Sequence, residues 1–261
     1  MRIGKQDAPH TAISTSDANS ITVRGRDLCK ELIGKIDFVD YFVLLLLGTP
    51  ATDNQRFFLN ALLVGIAEHG LVPSVQAARM TLAAAPEALQ GAVAAGLLGS
   101  GSVVLGSAET AGRLLHDLVR ESEGKNAYET ALERLRRMRQ SKTPIPGFGH
   151  PQHSGGDPRA ELLLSLAEDR GLKGPYLAML HTIAHALPEA LGRSLPININ
   201  GAIPAILLEI GFPVAALKGI SILARTAGLL AHLQEEQERP IGFILSHAAA
   251  EAISYDGQKA P

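Results

Sequence analysis

Apolar side chains recur at helical spacing along most of the chain, and this pattern constrains the fold more strongly than any other feature. Leu59, Leu62 and Ile66 follow the three-to-four-residue spacing of one helix face. Residues 88–119 are rich in Ala, Gly and Leu, a composition that allows helices to pack closely but supplies few side chains for the face of a β-sheet. The pattern predicts an all-α fold.

Glycine and proline mark the predicted ends of the helices. Gly48 and Pro50 end one helix, and a break is predicted over 196–204, which starts and ends with proline. Asp27 is predicted to cap a short helix that follows an extended piece at 21–23. The predicted helices cover residues 28–34, 38–47, 57–66, 126–140, 160–169, 175–187, 214–234 and 244–253, together with the stretch 88–119.

Composition and charge limit the possible functions. Apolar residues make up 46% of the 261 residues and charged residues 19%, so the chain can bury a core and is not disordered. The formal charge of −2 gives no field that would attract nucleic acid or an anionic membrane. The longest apolar run, Phe42 to Leu47, is far shorter than the roughly 20 residues of a membrane span. We therefore expect neither nucleic acid nor a membrane as a partner.

The single cysteine, Cys29, excludes an intrachain disulfide and a cysteine-based zinc cluster. Such a chain suits a reducing compartment, and its N-terminal residues lack the apolar core of a secretory signal. His181 and His185 have the spacing of metal ligands on a helix, but no cysteine or acidic cluster completes a site nearby. We therefore expect a cytoplasmic protein without a metal site.

One segment interrupts the helical pattern with a high density of proline and glycine. It has the sequence TPIPGFGHPQHSGGDPR, residues 143–159, and is predicted to form an irregular loop. His150 lies in this loop between Gly149 and Pro151, and an imidazole can exchange a proton near neutral pH. The alternative is a histidine that only holds the loop together.

Positive charges lie on both sides of this loop. Before it comes a basic run that forms either a solvated helix face or a binding site for a phosphate group. The run consists of Arg134, Arg136, Arg137, Arg139 and Lys142. After it, Arg159 opens the next helix and either pairs with Asp157, stays solvated, or binds a ligand carboxylate through two parallel hydrogen bonds. Arg159 and His150 together would suit a substrate with several carboxylates.

Three segments resemble the signature sequences of the citrate synthase superfamily. They are RGRDLCKELIGKIDFVDYFVLLLLGTP at 24–50, IAEHGLVPS at 66–74 and IPGFGHPQHSGGDPR at 145–159. The order and spacing are similar to the family from about Ile21 to Tyr255. The resemblance implies a large helical domain at 1–108 and 218–261, and a small helical domain at 109–217 that closes over the ligands. It also implies a homodimer or a tetramer.

Within the superfamily, the chain resembles short citryl-CoA lyases and the citryl-CoA lyase module of ATP citrate lyase. The resemblance is carried by its short length, by GLLGSGSVVLGSAE at 96–109 and by HAAAEAISYDG at 247–257. Full citrate synthases place a histidine near Val104 to support the thioester enolate, and the lyase modules lack that histidine as this chain does. The resemblance therefore favours a lyase over a synthase.

The resemblance assigns roles to residues at matching positions. His69 matches the oxaloacetate-binding histidine, and His150 matches the histidine that bonds the citrate hydroxyl. Arg159 and Arg225 match carboxylate-binding arginines. The CoA adenine is expected on the backbone of Ile145, Pro146, Gly147, Phe148 and Gly149, and the CoA phosphates near Arg139 and Lys142. The implied ligands are a CoA thioester and a small di- or tricarboxylate, both as substrates, with no separate cofactor.

Asn200 is the main departure from the family. The family's NVD motif reads NIN at 198–200, and asparagine cannot act as a general acid or base at pH 7. It could instead donate a hydrogen bond to an enolate oxygen. The implied reaction is cleavage of citryl-CoA, or a related 3-hydroxy-3-carboxyacyl-CoA, to acetyl-CoA and oxaloacetate or another 2-oxo acid. The alternatives are an acyl-CoA-binding pseudoenzyme or regulatory partner, and a citrate synthase-type condensation.

Overall fold

The computed structural model describes residues 9–101, 106–149 and 156–257, and most of them lie in α-helices. The predicted all-α fold is confirmed. Two compact units, 1–60 and 61–261, make up the chain, and the expected small domain at 109–217 stays a prediction. The helices are α1 (Phe38–Leu47), α2 (Asp53–Ala67), α3 (Pro73–Ala84), α4 (Leu89–Leu98), α5 (Ser107–Glu121), α6 (Ala127–Gln140), α7 (Pro158–Asp169), α8 (Pro175–Leu191), α9 (Ile199–Glu209), α10 (Leu217–Glu238) and α11 (Gly242–Ala252).

In the first unit, a small antiparallel sheet precedes the first helices. Its strands, in spatial order, are β1 (Ser14–Ser16), β2 (Ile21–Val23) and β3 (Arg26–Asp27). Asp27 then caps a π-helical segment, Leu28–Leu32, because its side chain accepts hydrogen bonds from the backbone N–H groups of Cys29 and Lys30. The extended piece at 21–23 and the Asp27 cap are both confirmed.

The second unit contains two groups of packed helices. In one group, α10 and α11 pack against α3, and α4 packs against α3 and α10. Buried apolar residues form the core of this group: Val75, Ala78, Leu82, Ala92, Leu229 and Leu233. In the other group, α6 packs on α8, and α9 packs on α5, α7 and α8. Most of the candidate site residues that the structure describes lie near helix ends or in loops, namely His69, Arg139, Lys142, residues 145–149, Arg159 and Asn200, whereas Arg225 lies within α10.

Two helices of the second unit are not predicted by the sequence pattern. α3 is absent from the prediction, and α9 occupies most of the predicted break at 196–204. Pro204 lies inside α9, although proline cannot donate a hydrogen bond to the carbonyl of Asn200 four residues earlier. All residues from Gly201 to Leu208 are buried. Packing on every side therefore outweighs the loss of one backbone hydrogen bond.

Among the described residues, one helical stretch is long and apolar enough to cross a membrane by length and composition alone. It is Val214–Glu238, 25 residues with a mean hydropathy of 1.5. The search for the longest unbroken apolar run did not find this stretch, because polar residues divide it into several short apolar runs. A core helix of a soluble protein meets the same criteria, and this stretch packs against α3, α4 and α5 with Arg225 and Glu236 buried. We assign no membrane span to it.

A buried ion-pair cluster, here called the Arg79 cluster, joins α3 to the end of α10. Arg79 is 2% exposed, and its Nε donates to Glu236 at 2.6 Å while its Nη1 donates to Glu235 at 2.8 Å. Glu236 also accepts from the backbone N–H groups of Ile241 and Gly242 at the start of α11. Burial raises the pKa of Glu236, but the hydrogen bonds from Arg79 and the backbone outweigh it and lower the pKa overall.

Replacing Glu236 by alanine should lower the free energy of unfolding by about 3–5 kcal/mol, because it leaves a buried guanidinium with one carboxylate fewer. Urea denaturation followed by circular dichroism measures this change. Glu238→Ala is the matched control, since Glu238 lies on the same helix and is exposed. Its effect should stay within about 0.5 kcal/mol. Equal effects of the two substitutions would show that the ion pair between Glu236 and Arg79 does not stabilise the fold.

Candidate active site

The predicted loop at 145–149 lies directly on the start of α9. The N–H of Gly149 donates to the carbonyl of Pro196 at 2.8 Å, and the N–H of Asn198 donates to the carbonyl of Gly147 at 3.0 Å. The two backbones are so close that a Cβ atom on Gly201 would lie 2.5 Å from the Gly147 carbonyl oxygen. The residues expected to bind CoA therefore adjoin the turn that carries residue 200.

Asn198 connects two parts of the candidate site, and it was not among the residues named from the sequence. It is buried, its Oδ1 accepts from the N–H of Asn200 at 2.9 Å, and its Nδ2 donates to the carbonyl of Gly149 at 2.5 Å. One side chain thus holds both Asn200 and the residue that precedes His150. Asparagine is a preferred residue just before a helix, but this signal could not be used because α9 was not predicted there.

Asp157 holds the other end of the loop. Its side chain is fully buried, and Oδ2 accepts from the N–H of Ile199 and from Nη2 of Arg159, both at 3.0 Å. Oδ1 accepts from the backbone N–H and the Nε of Arg159, both at 3.1 Å. Burial raises the pKa of Asp157, but these hydrogen bonds outweigh it and lower the pKa overall.

Arg159 therefore adopts one of the alternatives left open by the sequence, the ion pair with Asp157. Its side chain is 27% exposed, so a ligand can still reach it. The pair fixes the plane of the guanidinium before any ligand binds, because two of its nitrogens already bond the carboxylate. His150 lies outside the described residues, and its role stays a prediction.

The turn after α2 presents His69, as predicted from the helical pattern. α2 ends at Ala67, and the Glu68 side chain folds back so that Oε1 accepts from the N–H groups of His69 at 2.8 Å and Gly70 at 2.5 Å. His232 of α10 lies 3.0 Å from the same oxygen. Burial raises the pKa of Glu68, yet the hydrogen bonds from His232, Gly70 and His69 lower it overall.

Arg225 is a buried cation whose charge is poorly compensated. It lies on α10 and is only 5% exposed. Its Nε and Nη1 have no hydrogen-bond partner among the residues that the structure describes. Burial lowers the pKa of Arg225, and the negative charge of Glu68 acts in the opposite direction. A buried guanidinium in this state favours an anionic partner, and the carboxylate-binding role expected for Arg225 stays a prediction.

The basic run before the loop serves mainly to tie helices together. Arg139 Nη1 donates to the carbonyl of Ala190 near the end of α8 at 2.8 Å, and Arg136 pairs with Glu189 at 2.8 Å. The phosphate-binding roles expected for Arg139 and Lys142 stay predictions. Within the described ranges, no group of three or more His, Cys, Asp or Glu residues could hold a metal ion.

Residues 35–242 match the family model described as citrate synthase, C-terminal domain, and the chain belongs to the citrate synthase family. Its fold is similar to that of the citryl-CoA lyase from Hydrogenobacter thermophilus, with a TM-score of 0.86 and 29% identity over 98% of this chain and 97% of that one. The superfamily resemblance and the fold class predicted from sequence are thereby confirmed.

Two further relatives extend the comparison. The fold is similar to that of the ATP citrate lyase from Methanothrix soehngenii, solved with citrate and coenzyme A, at a TM-score of 0.80 and 23% identity over 98% of this chain and 43% of that one. A curated relative, the citrate synthase-like protein oryE of Aspergillus oryzae, is 25% identical over 228 residues. These residues are 83% of this chain, which spans about half, 49%, of that relative.

The lowered pKa of Asp157 predicts a specific loss of stability in acid. The unfolded chain binds a proton more readily than the folded one, so the contribution of Asp157 is fully present above about pH 4 and is lost as the pH falls through the lower folded pKa. Urea denaturation between about pH 6 and pH 3 should show a steeper loss for the wild type than for Asp157→Asn. The exposed Asp169 on the same helix provides the control Asp169→Asn, which should keep the wild-type slope.

Proposed function

We propose that the protein cleaves citryl-CoA, or a related 3-hydroxy-3-carboxyacyl-CoA, to acetyl-CoA and oxaloacetate or another 2-oxo acid. The observation that carries this proposal is the buried guanidinium of Arg225, with two nitrogens lacking partners among the described residues. An anionic ligand is the natural partner for such a group. The similarity in fold and sequence to a citryl-CoA lyase over nearly the whole of both chains supports a lyase.

The proposed reaction is a retro-aldol cleavage. His150 accepts the proton of the tertiary hydroxyl, the carbonyl of the 2-oxo acid forms, and the carbon–carbon electron pair moves into the thioester enolate. The enolate carbon then takes a proton from water, and the protonated His150 returns its proton to the hydroxide that is left, which restores the neutral imidazole. Arg225, Arg159 and His69 hold the carboxylates of the oxo acid in place while charge is redistributed. Asn200 donates a hydrogen bond to the enolate oxygen.

Local structure supports this arrangement at two points. Asn198 holds Gly149, the residue before His150, and Asn200 through one side chain. Asp157 fixes the Arg159 guanidinium before a ligand arrives. Prepositioned groups favour the reaction because less conformational freedom is lost on binding. CoA is proposed to lie on the backbone of 145–149, and no separate cofactor is proposed.

The remaining expectations belong to the same proposal. The domain at 109–217 would close over the ligands against the rest of the chain. The protein would act in the cytoplasm as a homodimer or a tetramer. Condensation, the citrate synthase direction, would use the same groups in reverse because a catalyst lowers the barrier in both directions.

A second candidate follows from the identity of residue 200. Asn200 stands at N2 of α9 with its backbone capped by Asn198, so the turn is well formed but has no carboxylate at that position. The loss of an acid–base group lowers a rate by roughly 10²- to 10⁴-fold. An acyl-CoA-binding pseudoenzyme or regulatory partner would keep the anion site and the CoA loop without useful turnover.

Replacing Arg225 by methionine tests the proposed anion site. Oxaloacetate binding, measured by calorimetry, should weaken by about tenfold or more, and acetyl-CoA release from citryl-CoA should fall with it. The free energy of unfolding should stay equal or rise by about 1 kcal/mol, since the variant no longer buries a poorly compensated charge. The exposed Arg120 supplies the control Arg120→Met, which should alter none of these. A wild type that binds neither oxaloacetate nor citryl-CoA would sink the proposal.

Replacing Asn200 by aspartate separates the two candidates. The change preserves side-chain volume, and a carboxylate is favourable in the first turn of a helix. For the proposed lyase, in which Asn200 donates to the enolate oxygen, we expect slower acetyl-CoA release from citryl-CoA, because a carboxylate at residue 200 repels the negative charge that develops on that oxygen. A wild type that binds citryl-CoA without cleaving it, combined with an active variant, would favour the pseudoenzyme. No change in binding or rate would show that residue 200 lies outside the reacting centre.

A further inference from the structure

Three residues of α10 share the face that approaches the end of α2. They are Arg225, Gly228 and His232, whose spacings of three and four residues place them on one side of a helix. At Gly228, a Cβ atom would lie 2.1 Å from the carbonyl oxygen of Ala67 and 3.1 Å from Oε2 of Glu68. Close backbone contact at Gly228 therefore sets how far Arg225 and His232 lie from Glu68.

His232 bridges the Arg79 cluster and Glu68. Its Nδ1 lies 3.4 Å from Nη1 of Arg79, and its Nε2 lies 3.0 Å from Oε1 of Glu68. A guanidinium can only donate, so Nδ1 is the acceptor and the ring proton sits on Nε2, where it donates to Glu68. Glu235 and Glu236 hold Arg79 in turn. The buried cluster thus fixes the tautomer and the orientation of the ring.

Among the described residues, His232 is the donor to Glu68 that comes from outside the turn at 68–70. Two of the donors to Glu68 Oε1 are the adjacent N–H groups of His69 and Gly70, while His232 belongs to a different helix. The Glu68 side chain is 47% exposed and can rotate when the tie to α10 is removed. Arg225 lies three residues before Gly228 on the same face of α10, where a Cβ of Gly228 would be 3.1 Å from Oε2 of Glu68, and the charge of Glu68 acts on its guanidinium.

We infer that His232 is a positioning residue that keeps the Glu68 carboxylate on the His69 turn and away from Arg225. Without His232, Glu68 pairs with the Nε and Nη1 atoms of Arg225 and occupies the guanidinium that a substrate carboxylate needs. Glu68 would then act as an internal competitor of the substrate. This inference rests on the proposed role of Arg225 in binding that carboxylate.

Oxaloacetate titrations by calorimetry test the inference with three histidine variants. The His232→Leu protein should bind oxaloacetate about tenfold more weakly. Glu68 would then occupy Arg225, so the substrate would lose one charge-assisted hydrogen bond. His232→Gln should recover most of the affinity, because its amide can donate to Glu68 from nearly the same place. The control His181→Leu changes an exposed helical histidine and should match the wild type. Wild-type affinity in His232→Leu would overturn the inference.

A suppressor distinguishes competition from simple loss of structure. Adding Glu68→Gln to His232→Leu should restore tighter oxaloacetate binding than His232→Leu alone, since a neutral amide does not compete for Arg225. A general distortion of the site would not be repaired by this second change. Failure of Glu68→Gln to improve the affinity of the His232→Leu protein would therefore contradict the inference.

Urea unfolding without any ligand provides a readout that does not depend on the proposed function. The coupling between Glu68→Gln and Arg225→Met is measured in the wild-type and His232→Leu backgrounds. In the His232→Leu background, where Glu68 and Arg225 are expected to pair, this coupling should be larger. Expressed as a factor in the unfolding equilibrium constant, the increase should be about tenfold. Equal couplings would overturn the inference even in an active lyase. If the wild-type protein does not bind oxaloacetate, the proposed function is wrong. The coupling between residues 68 and 225 would still test the role of His232.

Discussion

One buried carboxylate, that of Asp157, joins the starts of two helices at the candidate site. It accepts hydrogen bonds from the backbone of Arg159 in the first turn of α7 and of Ile199 in the first turn of α9. The first N–H groups of a helix have no partner within the helix and carry partial positive charge, so a single anion stabilises both ends. Asp157 thereby ties the start of α7 to the start of α9, where Asn200 lies, and backbone hydrogen bonds of Gly147 and Gly149 tie residues 145–149 to the same place.

The two arginines assigned to carboxylate binding are prepared in different ways. Arg159 is already paired with Asp157, so a ligand would find a guanidinium of fixed orientation and reduced net charge. Arg225 is buried beside Glu68 with unfilled hydrogen-bonding capacity among the described residues. Binding at Arg225 relieves an unfavourable state of the empty protein, whereas binding at Arg159 adds to a favourable one. In the proposed function, most of the affinity for an anion is therefore expected from Arg225.

Local patterns were sufficient for much of the fold. Helical periodicity located α1 and placed His69 at the end of α2, and the capping preference of aspartate identified Asp27. The motif resemblance named Arg225, which is buried in α10, and its role in binding a carboxylate stays a prediction. α9 was missed because proline normally breaks a helix, and only burial by α5, α7 and α8 explains why it persists there.

The contacts that organise the site were beyond sequence reasoning for a different reason. Asp157 reaches Ile199 across 42 positions, and His232 meets Glu68 from another helix. No spacing rule within one element connects such residues. The Asp157–Arg159 pair, by contrast, was foreseen as an alternative because its members are two residues apart.

Gly228 sets the distance between two parts of the candidate site. α2 and α10 touch there without an intervening side chain, so the separation between the His69 turn and Arg225 is set by contact between two backbones. A methyl group at this position would act as a spacer and move both helices as rigid bodies, while leaving every ligand-binding side chain unchanged. The chain length of the dicarboxylate that the proposed site accepts would thus be selected by a residue that itself touches no ligand.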